Sequence, residues 1–195
     1  MRKTAIVASL LGLVWVGYLA WPIYSLVKFT RALERGDYAT VVEHVDFAAV
    51  RGSLAEQLLD TYLKQSGKQV SPLVRGIARS ATSVAEPVIG RIVTPQALTE
   101  FLRTGWPKTV VAERPSDATG LTSDNLGTAW HIFASADYGI RRFEIAIPAA
   151  VPASRQFRFS FHLRQWRWQL SGIGLPESIR ILLVEALAHA LKPPP

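Results

Sequence analysis

The residues in this chain best suited to chemistry are basic and lie in its last third. Arg142 precedes Phe143, and Arg158, His162 and Arg164 alternate with Phe157, Phe159, Phe161 and Leu163. A period of two puts the apolar set on one face of a sheet and the polar set on the other. Together the three arginines and His162 make a cationic face. Such a face suits lipid headgroups, an acidic polymer or an acidic protein. A solvated sheet face with no partner carries the same residues, and both readings fit. Arg167 stands between Trp166 and Trp168, which read as core beneath the last helix.

A second constellation lies earlier. Asp46 and Arg51 are a carboxylate and a guanidinium close enough in sequence to pair across a helical turn, or to line a pocket. His44 and Asp46 form a His-x-Asp pair, but a metal site needs three or four converging ligands. The four histidines are scattered along the chain, and neither a metal nor another cofactor is implied. Ser53, Ser160 or another serine with His162 could be drawn as nucleophile and base. No nucleophile-elbow pattern surrounds any serine, and no phosphate-binding glycine loop occurs. Two function classes follow. One is a non-enzymatic binding domain using the basic sheet face. The other is an enzyme with a pocket between sheet and helices, built around Asp46, Arg51 or a histidine.

Placement constrains the partners. The 195-residue chain has a net charge of +7 and no cysteine, so a disulfide framework and a cysteine nucleophile are excluded. After a short basic start (residues 1–3), residues 4–27 carry no charge. As a helix they span about 36 Å, enough for a hydrocarbon core of about 30 Å. Trp15, Tyr18, Trp21 and Tyr24 gather in the second half, where amphipathic rings favour the headgroup level. The apolar run is long for a cleaved signal, and Tyr18-Leu19-Ala20 makes a poor cleavage site. The expectation is an uncleaved anchor in a cytoplasmic membrane, N-terminus inside and domain outside. The bilayer is then the first partner. An anionic lipid, an acidic polymer or a membrane protein is the second, and nucleic acid is not expected.

Residues 28–195 read as one soluble α+β domain. Phe29 to Arg35 continue the first helix into water and stop at Gly36. Asp37 caps a short helix with Tyr38, Val41, Val42 and Val45 on its apolar side. Asp46 caps a longer helix with Val50, Leu54, Leu58 and Tyr62 in a stripe. Ser71-Pro72 and Thr94-Pro95 are further helix starts, and Pro87 breaks or kinks the first of these two helices. A long loop covers 105–127, with a short strand at Thr109 to Val111. Four strands follow, at Trp130 to Phe133, Arg141 to Ile147, Phe157 to Leu163 and Trp166 to Leu170. A helix from Pro176 and a proline tail end the chain. Helices then strands then a helix gives an antiparallel sheet with helices on its apolar face.

The stretches Trp21-Pro22-Ile23-Tyr24, Ala32-Leu33-Glu34-Arg35-Gly36-Asp37, Val45-Asp46-Phe47 and Val50-Arg51-Gly52-Ser53-Leu54 resemble a bacterial family known only as a domain of unknown function. Trp166 to Leu170 and Gly172 to Pro176 resemble it too. The resemblance implies a membrane helix followed by a small domain, and brings no activity with it. The order of elements is also similar to cone-shaped folds of the nuclear-transport-factor type, a likeness of fold alone.

Overall fold

The computed structural model describes residues 2–65, 82–127 and 136–190. Its first element, α1, is a single helix from Arg2 to Arg35. Pro22 lies inside it. The ring removes one backbone bond, to the Tyr18 carbonyl, and the helix runs on. Ser9–Arg35 is long and apolar enough to cross a membrane, with a mean hydropathy of 1.7. Only 19% of its apolar window is buried in the protein, far less than in a core helix. Ile6, Leu10, Leu11, Leu13 and Trp15 are all exposed.

The C-terminal turns of α1 do not run through water as the sequence predicts. Leu26, Phe29, Thr30, Ala32 and Leu33 are buried in the domain core. The Phe29 ring meets Phe161 edge to face at 6.0 Å. One helix thus belongs to two media: bare and apolar near its start, fully packed near its end. Periodicity identifies an apolar stripe but not what covers it.

Local signals then set each boundary. Gly36 ends α1 with φ +66°. The Asp37 amide donates to the Ala32 carbonyl at 2.9 Å and the Gly36 amide to Leu33 at 3.2 Å, a Schellman stop. Asp37 accepts from the Thr40 amide at 3.1 Å and so starts α2, Tyr38–Glu43. Val41 and Val45 are buried, but Tyr38 and Val42 face outward. Asp46 accepts from the Ala49 amide at 3.1 Å and starts α3, Phe47–Gln65. Next come α4, Thr82–Ile92, and α5, Pro95–Thr104. Pro87 sits inside α4 and does not end it. Thr94 caps α5 through the Ala97 amide at 3.2 Å.

The sheet is four-stranded and antiparallel in the order β1-β2-β3-β4. The strands are β1 Asp137–Tyr138, β2 Arg142–Ile147, β3 Phe157–Arg164 and β4 Arg167–Gly174. The predicted strand at Trp130 to Phe133 and the helix start at Ser71-Pro72 lie outside the described residues, as does the proline tail. Phe143, Phe157, Phe159, Phe161, Trp168 and Leu170 point inward and are buried. The Phe143 and Phe161 rings stack at 4.7 Å, and Trp168 meets Phe143 at 5.0 Å. From the helical layer, α1 reaches this face through Phe29 and α5 through Phe101, which lies 6.1 Å from Phe157.

The β4 edge is covered by α3 and the segment before it, which removes a template for unwanted strand pairing. The Leu170 amide donates to the His44 carbonyl at 2.8 Å, and the Asp46 amide to the Leu170 carbonyl at 2.9 Å. Further along, the Gln57 side chain donates to the Ile173 carbonyl at 2.7 Å and accepts from the Leu175 amide at 2.9 Å. The last helix, Glu177–Ala190, packs on α3 and α4.

The 105–127 region is a loop, as its prolines and glycines predict, but Thr109 to Val111 form a turn instead of a strand. Both Val110 and Val111 amides donate to the Pro107 carbonyl at 3.0 Å. The loop also contains a one-turn helix, Ser123–Leu126, whose Ser123 amide donates to Glu34 of α1 at 2.6 Å. Asp117 ties the loop to the rest of the domain, accepting from Arg155 at 2.7 Å and from Ser178 at 2.9 Å. These partners, Arg155 first, hold its carboxyl below the ordinary aspartate value of 3.8.

Two outcomes follow. Deleting residues 2–17 leaves the thermal transition of the domain intact. Deleting 2–30 abolishes cooperative unfolding, because losing buried Leu26 and Phe29 removes about 2–5 kcal/mol each from a total of about 5–15; circular dichroism reads both. Separately, Asp117→Asn lowers stability at neutral pH. A carboxyl with a depressed folded value stabilises above the unfolded value and loses that contribution as pH falls through the folded one. The gap in urea midpoint between the two proteins is therefore full above about pH 5 and closes below about pH 4.

Candidate functional site

Strand register brings part of the predicted basic set together on the outer face of the sheet. Arg142 pairs with His162, and His162 with Gln169, across β2, β3 and β4. Side chains so placed are roughly 5 Å apart at Cβ. Arg158 is on the same face of β3, beyond Ser160. All three of Arg142, Arg158 and His162 are exposed.

Acidic neighbours divide the set. Glu144 stands between Arg142 and Arg158, lies 3.7 Å from the Arg158 guanidinium and accepts from the Ser160 hydroxyl at 2.9 Å. Arg164 pairs with Asp46, and Arg167 lies 3.4 Å from Glu43. Arg142 has no ion pair among the described residues. The face therefore offers one unpaired guanidinium beside an imidazole, with Arg158 half-committed. That suits a single carboxylate or phosphate better than a polyanion.

Asp46 and Arg51 do not meet. Asp46 is the α3 cap and the partner of Arg164. Arg51 turns to the other side of α3, donating to the Val93 carbonyl at 3.3 Å and lying 3.7 Å from Glu86 of α4. His44 is buried, its Nδ1 2.8 Å from the Thr40 carbonyl. No group of three metal-ligating side chains converges among the described residues. The space between sheet and helices, where a pocket would lie, is filled by Phe29, Phe143, Phe157, Phe159 and Phe161, each fully buried.

The serine that meets His162 is Ser171, one of the alternatives to Ser53 and Ser160. Ser171 Oγ lies 2.5 Å from His162 Nδ1 and donates its proton to the Ser160 carbonyl at 3.1 Å. The hydroxyl thus has a backbone acceptor besides the imidazole, which competes for its proton. Nucleophilic catalysis also needs a shielded site with oxyanion donors, and this pair stands on an open strand face.

The sequence reading missed the tips of the sheet. Trp166 is not core: it is 79% exposed, and with Gln165 it forms the two-residue β3–β4 turn. Both turn residues have positive φ, 47° and 61°. The Trp166 ring stacks on Trp21 of α1 at 6.1 Å and 12°. At the neighbouring β1–β2 turn, Ile140 is 83% exposed and its carbonyl accepts from the Tyr18 hydroxyl. Trp168 is the buried member of the pair.

Comparison with known proteins adds a family without a function. Residues 11–101 match the family model described as "Protein of unknown function (DUF2939)". The match takes in α1 from residue 11 and the capping motifs of α2 and α3, and stops within α5, before the sheet. The resembling segments from Trp166 to Pro176 lie beyond it. No curated protein and no solved structure matches.

A fluorophosphonate probe should leave Ser171 unmodified in intact-mass and peptide mass spectra. A stoichiometric adduct there would restore the hydrolase reading.

Proposed function

We propose that this chain is a membrane-anchored binding module of a bacterial envelope. In this reading α1 crosses the cytoplasmic membrane with its basic start inside, and the domain stands on the outer side. The outer sheet face captures an acidic side chain of a neighbouring membrane protein. The observation that carries the reading is the continuity of α1 from a bare apolar half into the packed core. A domain built on the end of its own anchor cannot part from that helix without losing core packing.

The direction of the sheet favours a protein over a lipid as the partner of the outer face. β3 runs back along α1, with Phe161 at the level of Phe29 and Trp166 at the level of Trp21. The strands thus rise from the membrane end of the helix, and their outer face is steep to the bilayer. Lipid headgroups meet only its lower rim. An adjacent protein meets the row of Arg142, His162 and Gln169 side on. An enzyme acting on an envelope component is the weaker reading, because aromatic rings fill the interlayer space.

The test is in-cell crosslinking of the full-length chain from a photoreactive residue at position 169, followed by mass spectrometry. A discrete membrane-protein adduct is expected, lost in Arg142→Glu/Arg158→Glu and absent from a probe at the exposed position 185 on the last helix. An adduct that survives the charge reversal, or none at all, overturns the reading.

A further inference from the structure

Three facts concern one end of the domain. First, both hairpin turns at that end abut α1 near Tyr18 and Trp21. Secondly, those turns carry Ile140 and Trp166, at 83% and 79% the most exposed large apolar side chains described. Thirdly, the β3–β4 turn holds φ above zero at Gln165 and Trp166. Such a turn ordinarily takes Asn-Gly, which adopts it at less steric cost. The sequence spends this position on a tryptophan that the domain does not bury.

Length supplies the reason. From Thr4, just after the charged Arg2 and Lys3, to Gly17 the apolar helix clear of the domain is about 21 Å long. A hydrocarbon core is about 30 Å thick. To cover it, the bilayer must reach up α1 to the level of Trp21 or Tyr24, about 27–31 Å from Thr4. The hairpin tips stand at that level, so they must enter the interfacial layer. Their residues match it. Tryptophan favours the headgroup region. Arg141 stands in the β1–β2 tip, and Lys28 and Arg31 lie on α1 about 10 and 15 Å beyond Trp21, all three exposed and with no ion pair among the described residues. A groove of about 410 Å³ between α1 and α2, lined by Tyr24, Lys28, Arg31 and Arg35, opens one or two turns above.

We propose that the two hairpin tips form a foot on the membrane: Ile140 and Trp166 insert among the lipids around α1, and Arg141, Lys28 and Arg31 hold anionic phospholipid headgroups. The inference rests on the reading of α1 as a membrane span. The foot fixes the tilt of the domain, because a helix alone lets its cargo swing whereas a helix and two hairpins make a tripod.

The chain has no cysteine, so single labels report single positions. Full-length protein is reconstituted in vesicles of phosphatidylcholine with or without phosphatidylglycerol. Leu13→Cys, Gly139→Cys, Gln165→Cys and Glu185→Cys each carry an environment-sensitive fluorophore, with acyl-brominated lipid as quencher. Quenching is expected at positions 13, 139 and 165 and not at 185. At 139 and 165 it should deepen when phosphatidylglycerol is present. Trp166→Ser/Ile140→Ser should weaken it at 165 by at least about twofold. Arg141→Glu/Lys28→Glu/Arg31→Glu should remove the dependence on phosphatidylglycerol. Quenching at 13 with none at 139 or 165 overturns the foot and leaves the anchor standing. No quenching at 13 overturns both. Equal quenching with and without phosphatidylglycerol overturns the headgroup assignment.

Discussion

The fold depends on the packing of one helix end. Leu26, Phe29 and Leu33 belong to the same α1 as the bare Leu10, Leu11 and Leu13, yet all three are buried in the core, Phe29 against Phe161 of β3. Burying each is worth about 1.5–3 kcal/mol, so the helix cannot detach without unfolding much of the domain. The weak point of the rod is Pro22, where a backbone bond is missing. Both bracing contacts from the sheet fall in the turn that leads into it, Tyr18 to Ile140 and Trp21 to Trp166. The two hairpins thus splint the helix where it would bend, and the direction of its apolar half is tied to that of the domain.

Much of this was legible in local chemistry. Gly36, Asp37, Asp46 and Thr94 mark helix ends because caps need those side chains at those places. The alternation in β2 and β3 identified the sheet and its buried face. What failed was information carried by distant neighbours. An apolar stripe at Phe29 and Leu33 cannot say whether water, lipid or a sheet lies opposite. Asp46 and Arg51 are close in sequence, yet each is taken by an opposite charge on another element. Trp166 reads as strand because nothing in Gln-Trp signals a two-residue turn. The β-branched Thr109 to Val111 became a turn because the Pro107 carbonyl claimed two of their amides.

The residues that carry the family resemblance have structural work to do. Ala32 and Leu33 are core. Glu34 holds the Ser123 amide and hydroxyl, Gly36 permits the left-handed stop, and Asp37 caps the next helix. Asp46 caps α3. Ser53 lies against Gly172 of β4, where a side chain would crowd it. In this chain the pattern therefore serves an architecture: an apolar helix, a stop, and a helix, α3, that covers a sheet edge. Chemistry specific to one member would sit elsewhere, on surfaces such as the outer face of β2 and β3.

The balance at the β3–β4 turn separates a structural Trp166 from an outward-facing one. A non-glycine residue in the left-handed region costs about 1–2 kcal/mol, and an aromatic stack returns about 0.5–1.5 kcal/mol. The Trp21 contact therefore offsets at most about the strain of one turn residue, and Gln165 adds a second. Within the domain this turn gains nothing that Asn-Gly would not supply at less cost. The opposite face of the indole stays bare. A local rule broken without internal return points to a gain outside the chain. Under the proposed placement of α1, a bilayer is the surrounding within reach of that ring whose chemistry suits an amphipathic aromatic.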